Sequence, residues 1–403
     1  GGPTVRRLGV HYVVDGRIVA LAWRSIVVAD EAADVARAPE PPGHEDRELD
    51  LSPLLDWEPP DLVISVVQSD QSDREWVWSV FSASSQVVVP DGPATAQLGD
   101  DIAEFALSLR RSLQFSAGPV NAYFDLAGRG RLIANAMPVA VQSALRAVIA
   151  AAGDSAATVL LMTEELTVPW ELAVFEPELV SVHGGQSPFL GGHVAMSRWP
   201  LAAGSLSSPP SQVEVRQGAV VTADYSGVSG FPVLDSAVAE GDAIVALFAA
   251  HRVAPEYLTV LDLLRGSPVA DVIHLALHGR FDASGIEGGI VLVARSDTGA
   301  RASILTPNAA SSGELTHRPF VFLNACQVGA DLSVLGSYSG FASTLLGIGA
   351  GGVIAPLWNV DDVIADQLAR HFYAATWEAP TPVSAAPRIL RGRAGRRAIL
   401  RSS

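Results

Sequence analysis

Apolar residues along this chain follow two rhythms, and the change between them falls near residue 154. Residues 8–14 alternate apolar and polar, Asp15-Gly16 supplies a turn, and residues 17–28 continue with β-branched and aromatic side chains, which predicts a β-hairpin over 7–29. Residues 31–60, rich in proline and acids and without periodicity, read as a linker. Strands are expected at 62–68, 75–82 and 86–89. Helical spacing follows at 102–113, with Ile102, Phe105, Ala106 and Leu109 on one face, and at 139–152, with Val141, Leu145, Val148 and Ile149. Residues 1–153 therefore predict a smaller, β-rich α+β domain.

From residue 158 short apolar strands alternate with helices. Strands are expected at 158–162, 194–199, 218–222, 271–277, 319–323 and 353–357, with a hairpin-like strand at 289–293. Helices are expected at 237–251, 257–264, 338–346 and 361–376. Unbroken apolar strands separated by helices predict an α/β domain over residues 154–403, a mainly parallel sheet sandwiched by helices. Residues 184–192 read as a glycine-rich loop, 205–211 as an exposed Ser/Pro linker, and Trp170 as a core aromatic.

Composition narrows the function. Hydrophobic residues make up 49% of the 403 positions, enough for sizeable cores. No apolar run approaches the ~18 residues of a spanning helix, and no charged stretch with an apolar core opens the chain, so neither membrane nor secretory leader is expected. A net charge of −16 argues against nucleic acid, whose phosphates need a basic surface. A single cysteine excludes an internal disulfide and cysteine-cluster zinc, and suits a reducing cytoplasm, with no metal or cofactor called for. All 27 basic residues are arginine, which reads as compositional bias. Arg388, Arg391, Arg393, Arg396, Arg397 and Arg401 gather in residues 388–403, which read as a solvated tail or one that lies across the acidic body.

The chemistry concentrates at two strand ends. Residues 319–329 read PFVFLNACQVG, placing the sole cysteine, Cys326, just past an apolar run. His278 stands 48 positions earlier, at the end of DVIHLAL (residues 271–277). Reactive side chains at the carboxyl ends of strands mark the usual site of an open α/β sheet. A thiol attacks as thiolate and so needs a partner for its proton, which His278 supplies in a nucleophile–base pair. A histidine about 50 residues before an Ala-Cys-Gln core is also the caspase spacing. His274, mid-strand and on the face parity shares with His278, reads as a buried structural histidine, and His11 and His44 as structural. Gly347-x-Gly349-x-x-Gly352 follows a helix and precedes a strand, the reverse of a dinucleotide site, so those glycines predict a tight turn.

Four ordered blocks carry a resemblance to the CHAT domain family of caspase-like proteases. DVIHLALHG resembles its histidine strand and FVFLNACQVG its cysteine strand. Residues 340–362, GFASTLLGIGAGGVIAPLWNVDD, resemble its next helix, strand and turn, and VPWEL (residues 168–172) its early block. Leu277 stands where the family carries glycine.

The resemblance implies a caspase-like fold and a Cys326–His278 dyad without an acidic third member. By resemblance to caspases, the backbone N–H groups of Gly279 and Cys326 hold the oxyanion. Related metacaspases place an acid on the helix after the first strand; Glu240 takes that position, with Asn324 at the second pocket acid, implying that both bind substrate and favour a basic residue before the scissile bond. The implied role is a cysteine endopeptidase that cleaves a partner protein under a regulatory partner, in a bacterial defence or signalling system. The alternative is an inert caspase-like interaction or sensor module. Thiol redox chemistry lacks a resolving cysteine.

Overall fold

A hairpin and two five-stranded sheets organise the computed structural model. It describes residues 4–14, 17–28, 59–69, 74–99, 119–153, 155–176, 187–201, 213–248, 250–280, 288–297, 299–325, 340–357 and 360–377, with isolated positions between them. The Asp15-Gly16 turn, most of the 31–60 and 205–211 linkers, part of the 184–192 loop, His44, Cys326, Trp358 and the arginine-rich tail lie outside the described residues.

The hairpin pairs β1 (Thr4–Val14) with β2 (Arg17–Val28) antiparallel, with a register shift at Tyr12 and Val13. The first sheet contains β3 (Leu62–Gln68), β4 (Glu75–Phe81) and β5 (Ala94–Gln97). The strand expected at 86–89 does not form: Pro90 removes a ladder donor, Val87 turns inward and Val88 stays 81% exposed. Helix α1 (Pro119–Asn135) has no counterpart among the sequence expectations, because Gly128 and Gly130 interrupt its pattern. Gly130 is required by a close approach. A Cβ there would stand 2.4 Å from the Leu172 carbonyl oxygen, and Val174 N donates to Gly130 O at 2.9 Å. Helix α2 (Val139–Ala152) buries the predicted Val141, Leu145 and Val148. Among the described residues no single helix is long and apolar enough to cross a membrane.

Strands β6 (Ala157–Thr163) and β7 (Val194–Pro200) complete this sheet in the order β5-β4-β3-β6-β7. β3 and β6 pair parallel, so the sheet spans the division expected between residues 153 and 154. The VPWEL turn is pinned below it. The Glu165 carboxylate accepts from the N–H of Thr167 and Val168 and from Trp170 Nε1, and Trp170 meets Trp78 edge-on at 5.0 Å.

The second sheet has five strands, in the order Gly352–Ile354, Phe320–Asn324, Val272–Ala276, Gly218–Thr222 and His251–Arg252, every neighbouring pair parallel. Its first members are β8 (Gly218–Thr222), helix α3 (Asp235–Phe248), β9 (His251–Arg252), helix α4 (Tyr257–Leu264) and β10 (Val272–Ala276). Helix α3 ends three residues before the predicted limit, which frees His251 for the edge strand. The chain then forms a three-stranded antiparallel sheet from β11 (His278–Arg280), β12 (Gly289–Ser296) and β13 (Gly299–Leu305). After the short helix α5 (Pro307–Ala310) come β14 (Phe320–Asn324) and the small ladder of β15 (Ser333–Val334) with β16 (Ser337–Tyr338). Helix α6 (Phe341–Gly347), β17 (Gly352–Ile354) and helix α7 (Asp362–Trp377) close the described chain.

Alternation along the strands sorts the second sheet into two faces. Ile273, Leu275, Val321 and Leu323 pack with α4 and α6, while Val220, Val272, Phe320 and Phe322 pack with α3 and α7. Leu346, on the helix that follows β16, packs against the cluster of Val63, Leu160, Met162 and Trp199 on the first sheet. The mixed α/β architecture, a parallel sheet covered by helices after a β-rich N-terminal part, is the one the sequence predicts.

The glycine turn between α6 and β17 has a steric cause. Gly349 adopts φ 113°, and a Cβ there would lie 2.7 Å from the Leu315 carbonyl oxygen. Gly349→Ala is predicted to cost about 1–3 kcal/mol by urea unfolding. Gly347→Ala, whose added Cβ meets nothing within 4 Å, should leave the midpoint unchanged or raise it.

Candidate active site

Parallel pairing brings the two strand ends together. Ala276 of β10 stands opposite Asn324 of β14, and beyond that pair Leu277 N donates to the Asn324 carbonyl at 3.1 Å. The next residue on the first strand is His278. Ala325, the last described residue of the second, is buried, and Cys326 follows it in sequence.

His278 sits in a cradle built by the loop after β8. Its Nε2 lies 2.7 Å from the Pro232 carbonyl oxygen. A carbonyl only accepts, so Nε2 carries the proton and the neutral ring keeps its lone pair on Nδ1. The ring packs edge-on against Tyr225 at 4.5 Å and against Phe231 at 5.6 Å. The Tyr225 hydroxyl accepts from His278 N at 2.9 Å and donates to the Val291 carbonyl at 2.7 Å. His278 and Val291 are ladder partners, so the phenol oxygen spans two strands at that pair. Burial pushes the Tyr225 phenol well above its ordinary range, which keeps it protonated as a donor.

Gly279 stands next along β11, opposite Ile290. β11 is the edge strand of its sheet, so one side of it has no strand neighbour there.

Glu240 and Asn324 meet, as the resemblance implies, but inside the protein. Glu240 on α3 is fully buried, and Asn324 Nδ2 donates to its two carboxylate oxygens at 3.0 and 2.9 Å. His274 Nε2 lies 2.8 Å from Glu240 Oε1, although the ring N–H is not aligned on it. His274 is fully buried, as predicted, with Nδ1 3.1 Å from the Tyr373 hydroxyl. The shared face expected for His274 and His278 does not hold. β10 ends at Ala276 and β11 joins another sheet, so His274 packs on Phe322 and Tyr373 while His278 packs on Tyr225 and Phe231. Among the described residues no cluster of three or more His, Cys, Asp or Glu is arranged to hold a metal ion.

Sequence reasoning missed Tyr225, Phe231 and Pro232. Their signal was present only as a short aromatic and proline loop after an apolar strand, without spacing to single them out. Tyr225→Phe keeps the ring and removes the bridge between His278 N–H and Val291 C=O. It should cost about 1–3 kcal/mol in urea unfolding, the range for an unpaired buried polar group.

The family profile of the CHAT domain matches residues 130–391, from within α1 through β17 and α7. No curated protein matches the chain. The profile covers well over half of the sequence and includes both strand ends that meet at His278, so the chain belongs to the CHAT domain family, a caspase-like, protease-related family.

Proposed function

We propose that the protein is a cysteine endopeptidase in which Cys326 is the nucleophile and His278 the base. The observation that carries this reading is the hydrogen bond from His278 Nε2 to the Pro232 carbonyl at 2.7 Å. It fixes the tautomer and leaves the lone pair on Nδ1, in a ring that packs against Tyr225 and Phe231. A backbone carbonyl does here what a carboxylate does in other triads, which agrees with the absence of an acidic third member in the implied dyad.

In the proposed cycle the Cys326 thiol gives its proton to His278 Nδ1, and the thiolate attacks the carbonyl carbon of a peptide bond in a protein substrate. The oxyanion takes hydrogen bonds from the backbone N–H groups of Gly279 and Cys326. The place of Gly279 on an edge strand, next to His278, supports that role, and glycine lets the substrate carbonyl approach without a Cβ in the way. Collapse breaks the C–N bond, and His278 protonates the departing amine. Water, deprotonated by the same nitrogen, then hydrolyses the thioester and returns the thiol.

Cys326→Ala and His278→Ala should each abolish cleavage of a peptide library, and the double variant should be no worse than either single one. Both variants should still unfold in a single cooperative urea transition. Wild-type turnover by Cys326→Ala would overturn the reading. No cleavage by the parent, together with a thiol no more reactive than that of a free peptide, would instead point to the inert interaction module.

A further inference from the structure

A line of four buried or half-buried polar side chains crosses the layer between the second sheet and its helices. Tyr373 on α7 meets His274 on β10, His274 meets Glu240 on α3, and Glu240 takes both contacts from Asn324 at the end of β14. Glu240 and His274 are fully buried and Tyr373 is 3% exposed. Burying a carboxylate is costly unless partners satisfy it, and well-packed apolar residues would serve stability at least as well. Burial and the charge of Glu240 push the Tyr373 phenol far up, so it stays protonated, and its hydroxyl lies 3.1 Å from His274 Nδ1. The other ring nitrogen, Nε2, lies 2.8 Å from the Glu240 carboxylate.

Where the line ends is informative. The Asn324 side chain is held by Glu240, and its main-chain carbonyl is held by Leu277 N at 3.1 Å. Leu277 immediately precedes His278, and only Ala325 separates Asn324 from Cys326. We propose that Glu240 and Asn324, backed by His274 and Tyr373, form an internal clamp that positions the exits of both strands and so sets the alignment of Cys326 with His278. These are positioning residues. A substrate arginine could reach the carboxylate only by displacing Asn324 or His274, so the clamp replaces the basic-residue pocket implied by the family resemblance.

The proposal rests on the reading of Cys326 as nucleophile, and its test includes a readout that does not require proteolysis. The chain has one cysteine, so alkylation by iodoacetamide under native conditions reports on Cys326 alone. Asn324→Leu should slow alkylation at least tenfold and lower kcat by a similar factor. KM should stay within twofold for peptides with either a basic or an apolar residue before the scissile bond. Glu240→Gln retains an acceptor for the Asn324 amide and should recover most of both rates. If Asn324→Leu does not fold, Asn324→Gln, which moves the amide by one methylene, is compared in the same way. Unchanged alkylation and kcat with only a lowered unfolding midpoint would reduce the line to a structural role. A loss confined to KM for arginine peptides would restore the substrate pocket. If no peptide is cleaved at all, the protease reading fails, while the alkylation rates still decide on the clamp.

Discussion

The site depends on one register: Ala276 opposite Asn324 in the parallel pair of β10 and β14. Side chains alternate along strands, so a slip of one residue would send His274 and Asn324 to the opposite face and dismantle the contacts around Glu240. The pattern on both strands opposes such a slip. Ile273, Leu275, Val321 and Leu323 fill one core, and Val272, Phe320 and Phe322 fill the other. Two dry faces thus set Ala276 and Asn324, the last residues of β10 and β14, side by side.

Much of this was legible in the sequence because buried parallel strands are short, apolar and bounded. β3, α2, β8 and α4 form at the residues where periodicity predicts them. The misses have physical causes that spacing does not register. α1 tolerates Gly130 because the Leu172 carbonyl needs the space, a contact between segments more than forty residues apart. The 86–89 run has strand propensity, but Pro90 ends it before a ladder can form. At the site, His278 and Gly279 were legible as residues following an apolar run. The loop that orients them was not, because Tyr225 and Pro232 act through a hydroxyl and a carbonyl whose positions are set only by folding.

Two devices hold the histidine side and the cysteine side separately. The Tyr225 bridge and the Pro232 carbonyl belong to the loop after β8, whereas the Glu240–Asn324 contact belongs to α3 and β14. The bond from Leu277 N to the Asn324 carbonyl links them. Hydrogen bonds in such a buried network are worth more together than apart, so each device stiffens the other through that link.

The parallel pairing of β3 with β6 bears on how the chain can be divided. A fragment begun at residue 154 would keep β6 but lose its neighbour, exposing the backbone groups from Ala157 to Thr163 along a bare edge. Such an edge is a template for pairing with other chains. The same cut would strip Val141, Leu145 and Val148 of α2 from the core that Trp170 shares with Trp78. The smallest piece of this protein that keeps its first sheet closed therefore starts before Leu62, far upstream of the first residue the CHAT profile matches.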